Sequence, residues 1–230
     1  MLIRSFSAGS WQTNCYIVAP TRNSECVIID PGYECVSQVR DILHADNLRP
    51  VAVLLTHGHI DHMWSVLPIA SGYDIPALIH KKDRHLLGNP FAGISRETIA
   101  MLQDSFETEP TFSEPDQVVE LNGITELQIA GMDFRVQSAP GHTEGSTIFT
   151  VKAEVPSVFT GDVLFAGAIG RTDLPGGSEL EMTETLRNVI LPLTDDCRIL
   201  PGHGPESTMA RERVNNPFLI RVTERLNHDD

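Results

Sequence analysis

The stretch "THGHIDH" at residues 56–62 follows directly on the apolar run "PVAVLL". A strand of this character normally ends in Gly, Asn or Pro turn residues. Here it ends in three histidines and an aspartate, whose imidazole and carboxylate groups bind metal ions and transfer protons. The spacing therefore predicts a chemical site at the end of a buried strand.

Three later strand-like runs end in the same way. "FRVQSA" leads into "PGHTEGS", "SVFT" leads into "GDVLF", and "CRIL" leads into "PGHG". Loops beyond the carboxyl ends of strands in open α/β sheets can converge on one point, so we expect these clusters to meet. Together the four clusters supply His57, His59, Asp61, His62, His142, Asp162 and His203.

A metal centre would satisfy this set of buried polar groups together. Imidazole nitrogens and carboxylate oxygens without a thiolate suit Zn, Fe or Mn. Catalytic zinc takes about three protein ligands, so six ligands and one bridging carboxylate predict two ions. The expected first site is His57, His59 and His142, the expected second site is Asp61, His62 and His203, and Asp162 is the expected bridge.

The segments between these clusters predict a layered α/β protein. Short apolar runs alternate with the helical patterns 37–47 and 63–73 in the first eighty residues, and a second series of strands runs from 117 to 165. A helix at 178–193, the strand "CRIL" and a broken helix over 206–227 follow. We expect two sheet-plus-helix halves in one domain, 1–230. Residues 81–108 also have a helical pattern and are a candidate lid over the site, with ordinary packing as the alternative.

Composition narrows the possible partners. The chain has 17 basic and 31 acidic residues and a formal charge of −14, which disfavours a nucleic-acid partner. The N-terminal residues do not have the pattern of a signal peptide, and no apolar run is long enough to span a bilayer, so a membrane partner is not expected. The four cysteines have no CxxC spacing and are expected to be buried, reduced thiols in a cytoplasmic protein.

These motifs resemble those of the metallo-β-lactamase superfamily, and within it those of the single-domain glyoxalase II-like (hydroxyacylglutathione hydrolase-like) hydrolases. The resemblance is carried by "LTHGHIDH", "APGHTEGS", "TGDVLF", "GRTDLPGG", "PGHGPEST" and "NPFL". It implies a four-layer αββα sandwich with two divalent ions, most simply zinc, at the residues named above. It also implies that Asp30 of "IIDPG" steadies the metal loops without binding an ion, a plain turn residue being the alternative.

The resemblance implies hydrolysis of a small-molecule thioester, an S-lactoyl-thiol or a similar hydroxyacyl-thiol, by a hydroxide held between two ions, with Asp61 orienting that hydroxide. Larger glyoxalase II enzymes carry Lys-x-Tyr after the bridging aspartate, where this chain has Arg171-Thr172-Asp173. Arg171 is the candidate for binding a carboxylate of the thiol carrier, and a structural salt bridge from Arg171 to Asp173 is the alternative.

Other reactions share these motifs. A persulfide dioxygenase of the same superfamily has a "GRTD" element and uses one iron, and a hydrolase of another small ester or lactone would need the same ligands. A β-lactamase is not expected, because Asp162 stands where those enzymes commonly have cysteine. A non-catalytic metal-binding protein is also not expected, since no ligand of the motif is lost.

Overall fold

The structure, a computed structural model, describes residues 1–105 and 110–229. Its strands form two six-stranded sheets. The first contains, in spatial order, β1 (Leu2–Ala8), β2 (Thr13–Ala19), β3 (Glu25–Ile29), β4 (Arg49–Leu54), β5 (Ala77–His80) and β6 (Val118–Leu121). The second contains β7 (Ile124–Ile129), β8 (Met132–Ser138), β9 (Thr147–Val151), β10 (Ser157–Gly161), β11 (Arg198–Pro201) and β12 (Ser207–Thr208), again as spatial neighbours.

Strand direction places the carboxyl ends of the central strands at common edges. In the first sheet β3, β4, β5 and β6 run parallel, whereas β1, β2 and β3 are antiparallel. In the second sheet β10 and β11 are parallel and the other neighbours are antiparallel. The loops that follow β4 and β5, and those that follow β10 and β11, therefore leave their sheets side by side.

In the part of the chain that the structure describes, seven α-helices flank the sheets. They are α1 (Val36–Ala45), α2 (Ile60–Met63), α3 (Val66–Tyr73), α4 (Arg96–Ser105), α5 (Glu179–Thr185), α6 (Met209–Asn215) and α7 (Pro217–Asp229). Helix α5 continues through one π-helical turn, Leu186–Ile190. Across the described residues, no helix combines the length and the apolar character needed to cross a membrane.

Alternating side chains divide the core into three apolar layers. On β4, Val53 packs with the helical side on the outer face of the first sheet, whereas Leu54 faces the space between the sheets. Phe149 of the second sheet meets Leu54 in that central layer. The outer face of the second sheet, represented by Ile148, packs against α5 and α7. Helix, sheet, sheet, helix is the four-layer αββα sandwich that the resemblance implies, so this expectation is confirmed.

The predicted helix at 63–73 is divided in the structure. Ser65 donates its backbone N–H to Pro31 O at 3.0 Å and its hydroxyl to Gly32 O at 2.7 Å, so this residue is tied to the loop after β3. Helix α2 therefore ends at Met63 and α3 begins at Val66. Helix α3 ends at Tyr73, as the pattern 63–73 predicts, and is followed by Asp74, whose φ is 52°.

The candidate lid is helical in separate pieces. Two 3₁₀ turns, Arg84–Leu87 and Pro90–Gly93, precede α4, and 106–108 lie outside the described residues. The piece around Gly93 lies against the imidazole of His59. The lid function of this segment stays a prediction. All four cysteines are buried and free, as expected.

Candidate metal centre

The seven candidate ligands are carried by loops at strand ends of both sheets. His57 and His59 follow β4, and α2 begins immediately after them and carries Asp61 and His62. His142, Asp162 and His203 follow β8, β10 and β11 of the second sheet. The structure brings these loops together at one edge of the sandwich.

Three histidines form the first group. The ligand nitrogens of His57, His59 and His142 lie within 4.8 Å of one another, and all three side chains are buried. The Nε2 atom of each is buried and has no hydrogen-bond partner among the described residues. Three unpaired imidazole nitrogens directed at one point are the donor set of a catalytic zinc site, in which a fourth position stays open.

A second group contains Asp61, His62 and His203. Their ligand atoms also lie within 4.8 Å of one another. His203 Nε2 lies 3.0 Å from Asp61 Oδ2 and 3.4 Å from His62 Nε2. These three residues, which we expect to hold a second ion, therefore lie together, and their role as ligands stays a prediction.

Asp162 lies between the two groups. Its Oδ1 atom is 3.2 Å from His62 Nε2, and its Oδ2 atom is 3.6 Å from His142 Nε2 and 3.7 Å from His203 Nε2. One carboxylate thus reaches both triads, as a bridging ligand must. The position of this carboxylate also explains Gly202, because a Cβ there would overlap Asp162 Oδ1.

The residues fit a pair of divalent cations. The Nε2 atoms of the three-histidine group and Asp162 Oδ1 are buried polar atoms without a hydrogen-bond partner among the described residues. Leaving each such atom unsatisfied costs about 1–3 kcal/mol. A cation at each triad would satisfy all of them, and the neutral nitrogens and anionic oxygens are the donor types that Zn, Fe and Mn accept.

Hydrogen bonds fix which nitrogen of the ligand imidazoles carries the proton. Thr56 Oγ1 donates to Asp30 Oδ2 at 2.6 Å, so His57 Nδ1 must donate to Thr56 Oγ1 across their 3.1 Å contact. His62 Nδ1 likewise donates to Asp30 Oδ2 at 3.0 Å. His142 Nδ1 donates to the carbonyl of Arg171 at 2.8 Å. In all three residues the Nε2 lone pair is left for an ion.

Asp30 lies beside Thr56 and His62, behind the ligand histidines. It accepts from Thr56 N at 2.8 Å as well as from the Thr56 hydroxyl and His62, and it is 1% exposed. Its carboxylate orients His62 directly and His57 through Thr56. Asp30 thus serves a member of each triad without pointing at either ion position.

The two triads differ in the protonation of their histidines. Burial lowers the pKa of His57 well below its ordinary value, and burial with a smaller contribution from His142 lowers the pKa of His59 to about 3. Burial acts to raise the pKa of Asp61, but the neighbouring His62 and His203 lower it below the ordinary value. At neutral pH His57 and His59 are therefore neutral and Asp61 is ionised, which are the metal-binding forms. Burial acts to lower the pKa of His62 and of His203, but Asp61 and Asp162 raise both above the ordinary value, so metal binding at the second triad would displace protons.

Two further side chains were not predicted from the sequence. Thr13, at the start of β2, donates its hydroxyl to Asp61 Oδ2 at 3.0 Å. Asp83, just after β5, accepts hydrogen bonds from the loops of His57 and His142. The rule applied to the four clusters, a polar residue after a buried strand, would have found Asp83, whereas nothing local marks Thr13.

Arg171 forms the salt bridge that was the alternative to substrate binding. Its Nε and one terminal nitrogen lie 2.6 and 2.8 Å from the Asp173 carboxylate, and both side chains are exposed. Arg171 also lines a cleft of about 290 Å³ between the segment 169–172, α5 and α7. The backbone of the same residue holds His142, so this cleft lies next to the metal centre.

A family model described as the metallo-beta-lactamase superfamily matches residues 8–203, which include every ligand above. The chain belongs to this superfamily. Members of the superfamily bind divalent metals, in accord with the two triads found here.

Curated relatives in this superfamily cover nearly the whole chain. An uncharacterized protein of Mycobacterium leprae, ML0493, is 43% identical over 95% of this chain and 99% of its own length. The hydroxyacylglutathione hydrolase GloC of Haemophilus influenzae is 32% identical over 95% of this chain and 98% of its own length.

Solved structures agree with the fold. The BLEG-1 B3 metallo-beta-lactamase is 33% identical with a TM-score of 0.79, covering 95% of this chain and 99% of that one. TTHA1623 in a di-iron-bound form is 31% identical with a TM-score of 0.76, covering 94% of this chain and 100% of that one.

Replacing Asp30 with Asn tests whether its carboxylate orients the ligand histidines. The amide keeps the shape and tolerates the φ of 49° at this position, but it cannot accept all three hydrogen bonds. We expect the free energy of unfolding, measured by denaturant titration, to fall by about 1–3 kcal/mol. Zinc affinity, measured by chelator competition, should fall about 10–100-fold. The exposed Asp133→Asn is the control, and wild-type zinc affinity in Asp30→Asn would contradict the assignment.

Proposed function

We propose that this protein is a binuclear metal-dependent hydrolase of the glyoxalase II type, which cleaves an S-lactoyl-thiol or a similar hydroxyacyl-thiol. The observation that carries the proposal is the pair of triads joined by Asp162. The likeness to GloC over almost the full length of both chains supports a thioester substrate. The likeness to a di-iron-bound protein supports two ions, with zinc our first choice and iron or manganese the alternatives.

His57, His59 and His142 would hold one ion, Asp61, His62 and His203 would hold the other, and Asp162 would serve both. When bound, such ions lower the pKa of a coordinated water from 15.7 to about 7 and polarise a substrate carbonyl. Ligands come from loops of both sheets, and neither half of the chain holds a complete site. We therefore infer that residues 1–230 work as one domain.

Asp61 is the residue that we assign to orienting the attacking water. Its Oδ2 atom accepts a hydrogen bond from Thr13 Oγ1, which orients the carboxylate. The lowered pKa keeps this group ionised, so that it accepts hydrogen bonds and does not compete as a donor. The same carboxylate can thus bind an ion and hold the water in line with the carbonyl carbon.

The proposed leaving group needs little help from the protein. A thiol with a pKa near 8.5 is a weak enough base as its thiolate to leave at neutral pH with little help from a proton donor. A strong general acid is not required, which favours a thioester over an ester whose leaving alcohol is much more basic.

Arg171 is the residue that we assign to the thiol carrier. The cleft beside it has an apolar floor of Ile169, Met182 and Leu186, and α7 contributes Arg221 and Arg225 to its rim. Within the described residues neither of these two arginines forms an ion pair, which leaves positive charge at the rim of a chain with net charge −14. A carrier carboxylate could replace Asp173 on Arg171, because an exposed ion pair contributes only about 0–1 kcal/mol.

Other reactions are less well supported. We do not favour the mononuclear iron persulfide dioxygenase, because a complete second triad is present beside the first. Hydrolysis of another small ester or lactone stays open to the same ligands, and the likeness to BLEG-1 makes a β-lactam a necessary comparison substrate. The four free cysteines suit a reducing compartment, and we propose the cytoplasm.

The first experiment measures metal content and substrate range together. We expect elemental analysis of protein purified without chelator, and again after zinc or iron loading, to give close to two ions per chain. The loaded protein should hydrolyse lactoyl thioesters of some thiols and lose that activity on chelation. A ceiling of one iron with oxygen uptake on a persulfide would instead support the dioxygenase, and turnover of a chromogenic cephalosporin alone would support a β-lactamase.

Removing the shared ligand tests the binuclear assignment. We expect Asp162→Ala and His59→Ala to abolish thioester turnover, at least 1,000-fold, on the order of the loss of a main catalytic group. Both proteins should stay folded by circular dichroism, because the ligands lie at the edge of the sandwich and not in its apolar layers. Normal turnover in a folded Asp162→Ala protein would refute the shared-ligand role.

Replacing Arg171 with Ala tests the carrier cleft. We expect KM for an anionic thioester to rise about tenfold with little change in kcat, because the contact would be equally strong in the ground and transition states. Asp173→Ala, which frees the guanidinium, should leave KM unchanged or lower it. Arg40→Ala, on an exposed helix surface, is the control. An unchanged KM in Arg171→Ala would contradict the binding role and leave the salt bridge to Asp173 as the function of Arg171.

A further inference from the structure

Asp83 is a buried carboxylate that belongs to neither triad. It follows β5 and is 2% exposed. Among the described residues no cation forms an ion pair with it. A buried carboxylate needs several donors in place of a cation, and Asp83 obtains them from two loops that come from different sheets.

The first loop is the one that carries His57 and His59. Gly58, which lies between them, donates its backbone N–H to Asp83 Oδ2 at 2.9 Å. This N–H belongs to the His57–Gly58 peptide, so the hydrogen bond restrains the backbone between the two histidines.

The second loop is the one that carries His142. Thr143, the next residue, donates its hydroxyl to Asp83 Oδ2 at 2.7 Å, and Gly145 donates its backbone N–H to Oδ1 at 2.8 Å. One carboxylate therefore joins the loops that carry all three histidines of the first triad. It has no such contact with Asp61, His62 or His203.

The close fit around Asp83 indicates that this link is built into the fold. A Cβ at Gly145 would lie 2.5 Å from Asp83 Cγ, so only glycine allows this approach. Asp83 also precedes the 3₁₀ turn Arg84–Leu87, where an aspartate side chain commonly caps the turn. Here it makes no such cap, and its oxygens accept from the two loops instead.

We propose that Asp83 is a positioning residue that sets the distance between the His57–His59 loop and the His142 loop, and thereby the affinity of the three-histidine site for its ion. The inference rests on the metal centre of the proposed function and is independent of the substrate. It differs from the role of Asp30, whose contacts serve a member of each triad. Loss of Asp83 should therefore weaken one of two ions, and loss of Asp30 should affect both.

The test is Asp83→Asn, which has the same shape and one acceptor oxygen in place of two. The amide oxygen can keep Gly58 N–H and the Thr143 hydroxyl, but the amide nitrogen then faces Gly145 N–H, and two donors cannot pair. We expect one of the two zinc ions to bind about 10–100-fold more weakly by chelator competition, while the other keeps its affinity. In the cobalt-substituted protein, the absorption bands of one site should shift and those of the other should not.

Two further variants separate positioning from general stability. Asp46→Asn removes another buried carboxylate, held by Arg4 far from the ligand loops, and should lower the melting temperature without changing either zinc affinity. If Asp83→Asn does not fold, Thr143→Val removes one of the three donors and should weaken the same ion to a smaller extent. Thr143→Ser keeps the hydroxyl and should restore the wild-type affinity.

Unchanged affinities and cobalt spectra in Asp83→Asn, with a fall in melting temperature like that of Asp46→Asn, would overturn the proposal. Equal weakening of both ions would overturn it as well, because the contacts of Asp83 reach one triad only. A wild-type protein that binds two ions but cleaves no thioester would contradict the proposed function, and the affinity test of Asp83 would still decide this inference.

Discussion

The structure depends on a set of imidazole lone pairs that face one another inside the protein. His57, His59 and His142 turn unpaired Nε2 atoms toward one point, and the Nδ1 atoms of His57 and His142 are engaged by Thr56 and by a backbone carbonyl. Hydrogen bonds of this kind fix the tautomer, so the lone pairs are directed by the chain itself. Such an arrangement is unfavourable for a folded protein until a cation satisfies it, since each buried polar atom without a partner carries a cost. The rest of the fold can be understood as the means of bringing these groups together in spite of that cost.

The two sheets share this work, and contacts between them keep their loops in register. Tyr16 of β2 donates its phenolic hydroxyl to Pro201 O at 2.7 Å, and Asn14 donates its backbone N–H to Gly202 O at 2.6 Å. Both contacts join the first sheet to the loop of His203 in the second sheet. A bridge between Thr13 and His203 continues the same seam, and the Thr13 hydroxyl reaches Asp61. The β1–β2 hairpin thus contacts Asp61, a ligand from the first sheet, and His203, a ligand from the second. The same hairpin contributes side chains to the apolar layer between the sheets.

The sequence predicts the ligand loops well because each is a local event: an apolar strand stops, and a histidine or aspartate follows. That pattern predicts a layered α/β protein and the grouping of the ligands, whereas the four-layer αββα sandwich is what the resemblance to the superfamily implies. What could not be predicted depends on contacts distant in sequence. Ser65 divides a helix because it bonds to the loop at Pro31 and Gly32, and Thr13 meets Asp61 across 48 positions of sequence. Asp83 has a local signal, a polar residue after a buried strand, but its function is visible only when the loops of both sheets surround it. The pairing of Arg171 with Asp173 is local, and it was one of two alternatives that sequence alone could not separate.

Buried acids that are not candidate ligands recur around this centre, and their chemistry explains why they are acids. Asp30 and Asp83 lie in the first half of the chain and Glu212 in the second, and each accepts hydrogen bonds from loops next to the ligands. Glu212 is fully buried and accepts from Gly167 N at 2.7 Å, in the loop after Asp162, and from Ser207, shortly after His203. Loops present backbone N–H and hydroxyl donors, and an ionised carboxylate is the one side chain that accepts several of them without donating. An amide would face at least one of these donors with another donor.

These carboxylates hold their loops by contacts that do not involve an ion, so the chain defines the geometry of the ligands before any ion binds. Two cations at the centre would in turn offset part of the negative charge that these acids contribute. The formal charge of −14 on the chain therefore favours the binding of cations at this site.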